Sequence, residues 1–270
     1  MRLKIIAHRC LLAASFVIAS MGLAKAQPNG RTDIVVHFGG PGSDGANTIV
    51  SMANGGYALA GWKAKDGSRQ DTESWLIRVD ARGNVLWDLP FPSSAPYGIT
   101  ALAPALDGGL FAVDGASGSL AGRTRITKVS YNGVIEDQIS VGNRPEDTIT
   151  AIRPTFDGGL IAAGRTTYKT HGRSDGWIIK LTRNFDVEWF RTLGSPFDDG
   201  LEDVTHSQNG GYIAAGWTTL PHDEVMGWLI SLDTNGALLD DRRYSLGPNT
   251  EFHRVAMSVV RVFGTSGLMS

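Results

Sequence analysis

Asp157-Gly-Gly-Leu-Ile-Ala-Ala-Gly164 and, after a polar stretch, Trp177-Ile-Ile-Lys-Leu-Thr182 are the residues from which the fold is read. Asx-Gly before an apolar run signals a hairpin, because type I′ turns need positive φ at both central residues. The first motif recurs as Asn54-Gly-Gly-Tyr-Ala-Leu-Ala-Gly61, Asp107-Gly-Gly-Leu-Phe-Ala-Val113 and Asn209-Gly-Gly-Tyr-Ile-Ala-Ala-Gly216, with starts 53, 50 and 52 residues apart. The second recurs as Trp75-Leu-Ile-Arg-Val-Asp80, Arg125-Ile-Thr-Lys-Val-Ser130 and Trp228-Leu-Ile-Ser-Leu-Asp233, each ending at a turn such as Arg82-Gly83-Asn84 or Asn235-Gly236. Strand alternation places Trp75, Ile77 and Val79 on one face. The other face holds one apolar and one polar residue, as expected of a strand packed on both sides near an outer layer.

A third regularity joins consecutive units. Phe38, Phe91, Val141, Leu193 and Tyr244 each precede an apolar residue by 11 positions: Ile49, Leu102, Ile152, Val204 and Val255. Each period of about fifty residues therefore contains four short strands, which is what a propeller blade requires. A β-sandwich needs no such period. The expectation is an all-β, β-propeller-like chain: four full four-stranded blades plus partial fifth strands at the termini. The leading one lies near Ile34–Phe38 and the trailing one includes Phe252 and Val255.

The pattern breaks twice. In the second copy Arg125 replaces the strand tryptophan, and Asp114 stands where the others have Gly. In the fifth copy Val260-Arg261-Val262 occupies the place of the next Asx-Gly-Gly. Residues 27–259 are thus read as the repeat domain and 260–270 as a non-repeat tail. A closing blade without its middle strands would expose edges, and unpaired edges invite self-association.

Residues 157–164, 175–181 and Trp189, with Trp75–Asp80, Gly83, Asn84 and Trp87, resemble a bacterial and archaeal exported propeller-type repeat. Its pattern reads Asp-Gly-Gly-Tyr-Ile-Val-Ala-Gly, then Asp-x-Trp-Leu-Ile-Lys-Leu-Asp-x-x-Gly-Asn and a Trp strand. The resemblance covers about residues 33–258. It implies a fold and an exported protein, usually without assigned activity, and it carries over no catalytic residue. Val79–Trp87 also resembles the tryptophan-containing repeats of quinone-dependent dehydrogenases, whose larger rings with vicinal cysteines this chain does not match.

Residues 1–26 have Arg2, Lys4 and Arg9, an apolar run from Cys10 to Ala24, and a small-x-small end at Ala24-Lys25-Ala26. This is the build of a secretory signal peptide cut after Ala26. A membrane anchor would need about 20 apolar residues. The expected location is periplasmic or secreted, with no membrane span after cleavage. Loss of four basic residues leaves 21 Lys+Arg against 27 Asp+Glu, a formal charge of −6. That balance argues against nucleic acid as a partner. The one cysteine, Cys10, lies in the leader, which excludes disulfides and thiolate chemistry from the mature chain.

Trp75, Trp177, Trp228, Trp87 and Trp189 recur in phase and read as inter-blade core. Trp62 and Trp217 directly follow the Ala-Gly that ends the second strand, with Arg165 at that position in the third copy. These three are the candidate ligand-binding residues, placed at the start of a loop on one rim. Asp198-Asp199, Glu202-Asp203 and Asp240-Asp241 raise Ca²⁺, but none has the spacing of a calcium loop, and solvated loops are the plainer reading. The histidines form no i, i+4 pair for zinc. No nucleophile elbow, phosphate loop or dinucleotide motif occurs, so no cofactor and no catalytic residue is assigned. Three functions compete: a non-enzymatic exported module binding a glycan or protein, a Ca²⁺-assisted hydrolase or lyase, and a truncated propeller remnant.

Overall fold

The structure is a computed structural model. It describes residues 32–40, 42–65, 72–91, 98–115, 123–142, 146–168, 170–208 and 210–245, with short backbone stretches at 3–5, 20–21 and 25–26. The trailing fifth strand and the tail lie outside the described residues. The short stretches β1 (Leu3–Ile5), β2 (Ser20–Met21) and β3 (Lys25–Ala26) pair with β4 (Thr32–His37).

Four antiparallel four-stranded sheets follow, each strand pairing with its neighbours in chain order. The first contains β5 (Asp44–Ser51), β6 (Tyr57–Ala64), β7 (Thr72–Val79) and β8 (Val85–Pro90). The second contains β9 (Ile99–Pro104), β10 (Leu110–Asp114), β11 (Thr124–Val129) and β12 (Ile135–Val141). The third contains β13 (Thr148–Pro154), β14 (Leu160–Thr166), β15 (Asp175–Leu181) and β16 (Val187–Leu193). The fourth contains β17 (Asp199–His206), β18 (Tyr212–Thr219), β19 (Val225–Leu232) and β20 (Leu238–Tyr244). The chain is all-β and its sheets are propeller-like blades. A 3₁₀ turn occupies Pro221–Asp223, and among the described residues no helix is long and apolar enough to cross a membrane.

The chain divides into two compact units. The first comprises residues 1–119 and 125–137, the second residues 120–124 and 138–270. Within the first, Ala58, Ala60, Leu76 and Phe91 of blade 1 pack on Ile99, Leu102, Leu110, Ala112 and Val129 of blade 2. Leu59, Trp75, Ile77 and Val79, on the opposite face of blade 1, form a cluster with Phe38. Within the second, Ile161, Ala163 and Ile178 of blade 3 pack on Leu201, Val204, Ala214, Trp228 and Ile230 of blade 4. The in-phase tryptophans seal these seams. Trp87 Nε1 donates to Tyr131 O at 2.8 Å, and Trp189 Nε1 to Thr234 O at 3.1 Å. A Cβ on Gly133 or Gly236 would fall within 3 Å of the respective indole.

The Asx-Gly-Gly turns differ from the type I′ expectation. Gly55 N donates to Met52 O, and Met52 N to Gly56 O. The positive-φ residues are Gly55 (φ 88°) and Gly56 (φ 75°), not the central Asn54. This is the longer hairpin loop in which a glycine follows the turn, and Gly108 and Gly158 repeat it.

The last glycine of each motif has a separate cause. The first strand of each blade is bulged, at Ala46/Thr48, Ile149/Ala151 and Leu201/Asp203. The bulge drives a carbonyl toward the partner strand. A Cβ at Gly61, Gly164 or Gly216 would stand 2.0, 1.9 or 2.0 Å from that oxygen. In blade 2 the same position is Asp114, and it meets the residue that replaced the tryptophan. Arg125 donates to both Asp114 carboxylate oxygens, from Nε at 2.9 Å and from Nη2. The two departures from the repeat compensate each other.

The polar residue of the third strand is buried more deeply than alternation implies. Arg78 is 1% exposed and Lys180 2%. Each reaches back to its own Asx-Gly turn: Arg78 to Asn54 Oδ1 at 2.7 Å, Lys128 to Asp107 at 2.5 Å, Lys180 to Asp157 at 2.7 Å. In blades 2 and 3 a glutamate of the fourth strand completes the latch, with Lys128–Glu136 at 3.1 Å and Lys180–Glu188 at 2.9 Å.

Candidate functional site

Trp62 and Trp217 do not begin loops. β6 and β18 run through them, to Ala64 and Thr219. Each indole lies across the glycine paired with it, Gly45 or Gly200, where a Cβ would come within about 3 Å of the ring. Trp217 Nε1 also donates to Glu202 Oε1 at 3.1 Å. Both rings are half-buried, and each covers a side-chain-free patch of its own sheet. Arg165 is also inside a strand, β14, and its residue is exposed. Trp62 belongs to the first unit, Arg165 and Trp217 to the second. Trp62 and Trp217 are thus strand residues that already pack on their own sheets.

Glu202-Asp203 and Asp240-Asp241 lie inside β17 and β20 and not in loops, whereas Asp198-Asp199 holds loops. Asp199, fully buried, accepts from Ser195 N at 2.5 Å, Ser195 Oγ at 3.2 Å and Thr219 N at 3.3 Å. Asp175, equally buried, accepts from His171 N at 2.8 Å and contacts His171 Nδ1 at 2.9 Å. Asp198 pairs with Arg173 at 2.5 Å. Among the described residues no group of three or more His, Asp or Glu is placed to hold a metal ion.

A different constellation occupies the turn edge of the second unit. In an antiparallel blade the first and third connections emerge at the same edge, so the turns at 155–159, 182–186, 207–211 and 233–237 share it. Phe156 projects from the first of these and is 86% exposed. Its ring packs on His206, the last residue of β17, at 4.6 Å between centroids and tilted by 40°. His206 and Tyr212 are directly opposed in register, and their rings are 5.8 Å apart. Tyr212 lies 5.9 Å from Trp189 of β16, and the Arg191 guanidinium closes the row 5.6 Å from the Trp189 ring. Four aromatic groups from two blades thus form one row, open at Phe156 and pinned at Trp189.

Charged groups flank the row. Arg153 pairs with Asp203 at 2.8 Å. Burial holds the His206 imidazole below its ordinary pKa, and the Arg153 charge adds to the effect; its Nε2 is buried with no hydrogen-bond partner. A neutral ring is what the site accommodates. Burial likewise raises the Tyr212 phenol. Partial burial pushes the Asp157 carboxyl upward, but Lys180, Thr155 Oγ1 and Gly159 N outweigh it and bring the pKa to about 2. Asp157 and Glu188 share the single buried Lys180 ammonium, so the latch itself holds one more carboxylate than ammonium beside Phe156.

Sequence reading missed this site. Phe156 is signalled only as an aromatic before Asp-Gly-Gly, and His206 lies fifty residues away, one blade on. No protein-family model matches the chain, and no curated protein matches it in sequence. Solved structures similar to it include the Pan2 WD40 domain of Neurospora crassa, at 10% identity and TM-score 0.44, covering 74% of this chain and 66% of that one. A glucose dehydrogenase is similar at 10% identity and TM-score 0.45, covering 76% and 72%. An apocarotenoid oxygenase of Synechocystis is similar at 12% identity and TM-score 0.39, covering 72% and 47%. The chain spans just under two thirds of the Pan2 domain and about half of the oxygenase. Likenesses this distant say nothing of activity, and the blade assignment rests on the strand pairing itself.

Proposed function

We propose that this chain is an exported, non-catalytic binding protein that holds a glycan on the turn edge of its second unit. The carrying observation is Phe156, 86% exposed yet packed at 4.6 Å against the His206 ring, from which the row continues into Tyr212 and Trp189. The open face of Phe156, backed by further rings, is an apolar surface on a side chain with few rotamers to lose, and the C–H face of a pyranose fits it. The half-exposed Asp157 carboxylate beside Phe156 offers a hydrogen-bond acceptor to a hydroxyl. A protein partner is the weaker reading, because the platform is one exposed ring ringed by charge rather than a broad apolar core. The leader-like residues 1–26 support action outside the cytoplasm.

Affinity electrophoresis and calorimetry against soluble polysaccharides test this. Wild type should be retarded by at least one, and Phe156→Ala should lose that binding while melting within about 1 °C of wild type, since so exposed a ring contributes little to stability. Equal binding by Phe156→Ala, or binding to no polysaccharide, would sink the reading.

A further inference from the structure

The charge arrangement beside Phe156 narrows the ligand class, an inference resting on the glycan reading above. We infer that the edge selects uncharged pyranose residues, that Asp157 sets this specificity by accepting a sugar hydroxyl, and that uronate or sulfate glycans are excluded. Asp157 follows Phe156 directly in the turn, and its side chain is 55% exposed. Oδ1 accepts from Thr155 Oγ1 at 2.5 Å and Gly159 N at 2.9 Å, and Oδ2 from Lys180 at 2.7 Å. A carboxylate offers about four acceptor positions, so one outward position remains for a hydroxyl of a ring stacked on Phe156. Glu188, 41% exposed, shares the same Lys180. Within the latch two carboxylates share one ammonium, and this local excess of negative charge disfavours an anionic sugar placed against Asp157.

Comparison with other blades separates this role from the latch. Blade 2 has the same Asp107–Lys128–Glu136 arrangement, but Leu106 stands in place of Phe156, so that latch has no aromatic platform beside it. Blade 1 closes its turn with Asn54 on Arg78, with no carboxylate at either latch position. An Asx-Gly turn therefore folds with either chemistry, and blade 3 is where a carboxylate pair adjoins an exposed ring.

The double variant Asp157→Asn/Lys180→Arg transplants the blade 1 pairing into blade 3 and removes the excess charge while keeping the turn closed. Binding is measured with a neutral polysaccharide (xyloglucan) and an anionic one (polygalacturonate), with Phe156→Ala in parallel. Wild type should bind the neutral polymer only. The double variant should bind it about tenfold more weakly, the weight of one hydrogen bond to a charged acceptor, and should gain measurable binding to polygalacturonate. Glu188→Gln, which keeps Asp157, should gain the second binding without losing the first. If wild type binds both polymers equally, or the double variant matches wild type, while Phe156→Ala abolishes binding, the selectivity inference falls and the glycan platform stands. If Phe156→Ala binds normally, both fall.

Discussion

Lys180→Met tests the latch that shapes the candidate site. Methionine refills the volume of the lysine stem, so the change chiefly removes the ammonium and its bonds to Asp157 (2.7 Å), Glu188 (2.9 Å) and Leu181 O (3.0 Å). Stranding the partners of a fully buried charge costs about 3–5 kcal/mol. Here the partners are 55% and 41% exposed and water can take over part of their solvation, so about 2 kcal/mol is expected. Lys128→Met, whose lysine is 21% exposed, should cost about half as much. The pH dependence gives a second readout. The Asp157 pKa falls from 3.8 to about 2 in the folded chain, so its contribution is complete above 3.8 and is lost as pH falls toward 2. Discounted for solvent screening, that contribution is about 1 kcal/mol. Urea unfolding followed by far-ultraviolet circular dichroism at pH 7, and then from pH 4 to 2, measures both. A Lys180→Met variant within about 0.5 kcal/mol of wild type, or one less costly than Lys128→Met, would refute the reasoning.

Gly164→Ala places a methyl 1.9 Å from Thr148 O, a clash with bulged backbone that no rotamer relieves; a loss above about 3 kcal/mol is expected in the same urea assay, against a near-neutral Gly115→Ala control, where a Cβ meets nothing. Because burial lowers the His206 pKa below 6.5, stability should be complete above pH 6.5 and fall as pH drops below it, and His206→Phe should abolish that part of the pH dependence.

Secondary structure was legible because hairpin and strand chemistry is local and the repeat prints it four times. Asn54, Asp107 and Asp157 mark turns wherever they stand, although the turn proved to be the loop with a trailing left-handed glycine, a choice made by backbone pairing between Met52 and Gly56. Trp75, Trp177 and Trp228 were legible as core because their phase repeats with the strand. Trp62, Arg165 and Trp217 were misplaced at loop starts, because the strands extend beyond the Ala-Gly where the pattern ends.

The sequence by itself determined the fifty-residue period, the four strands per blade and which faces are apolar. Tertiary structure decided what the polar positions do. Arg78, Lys128 and Lys180 became latches, the first and last fully buried, because pairing in each blade returns the third strand to the first turn. Asp114 and Arg125 became partners because they are opposed in register. Phe156 and His206 became one platform because blades 3 and 4 stack, making residues a full period apart neighbours at 4.6 Å. A repeat specifies each blade through local chemistry, but a site shared between blades depends on how two copies pack, and no single copy contains that information.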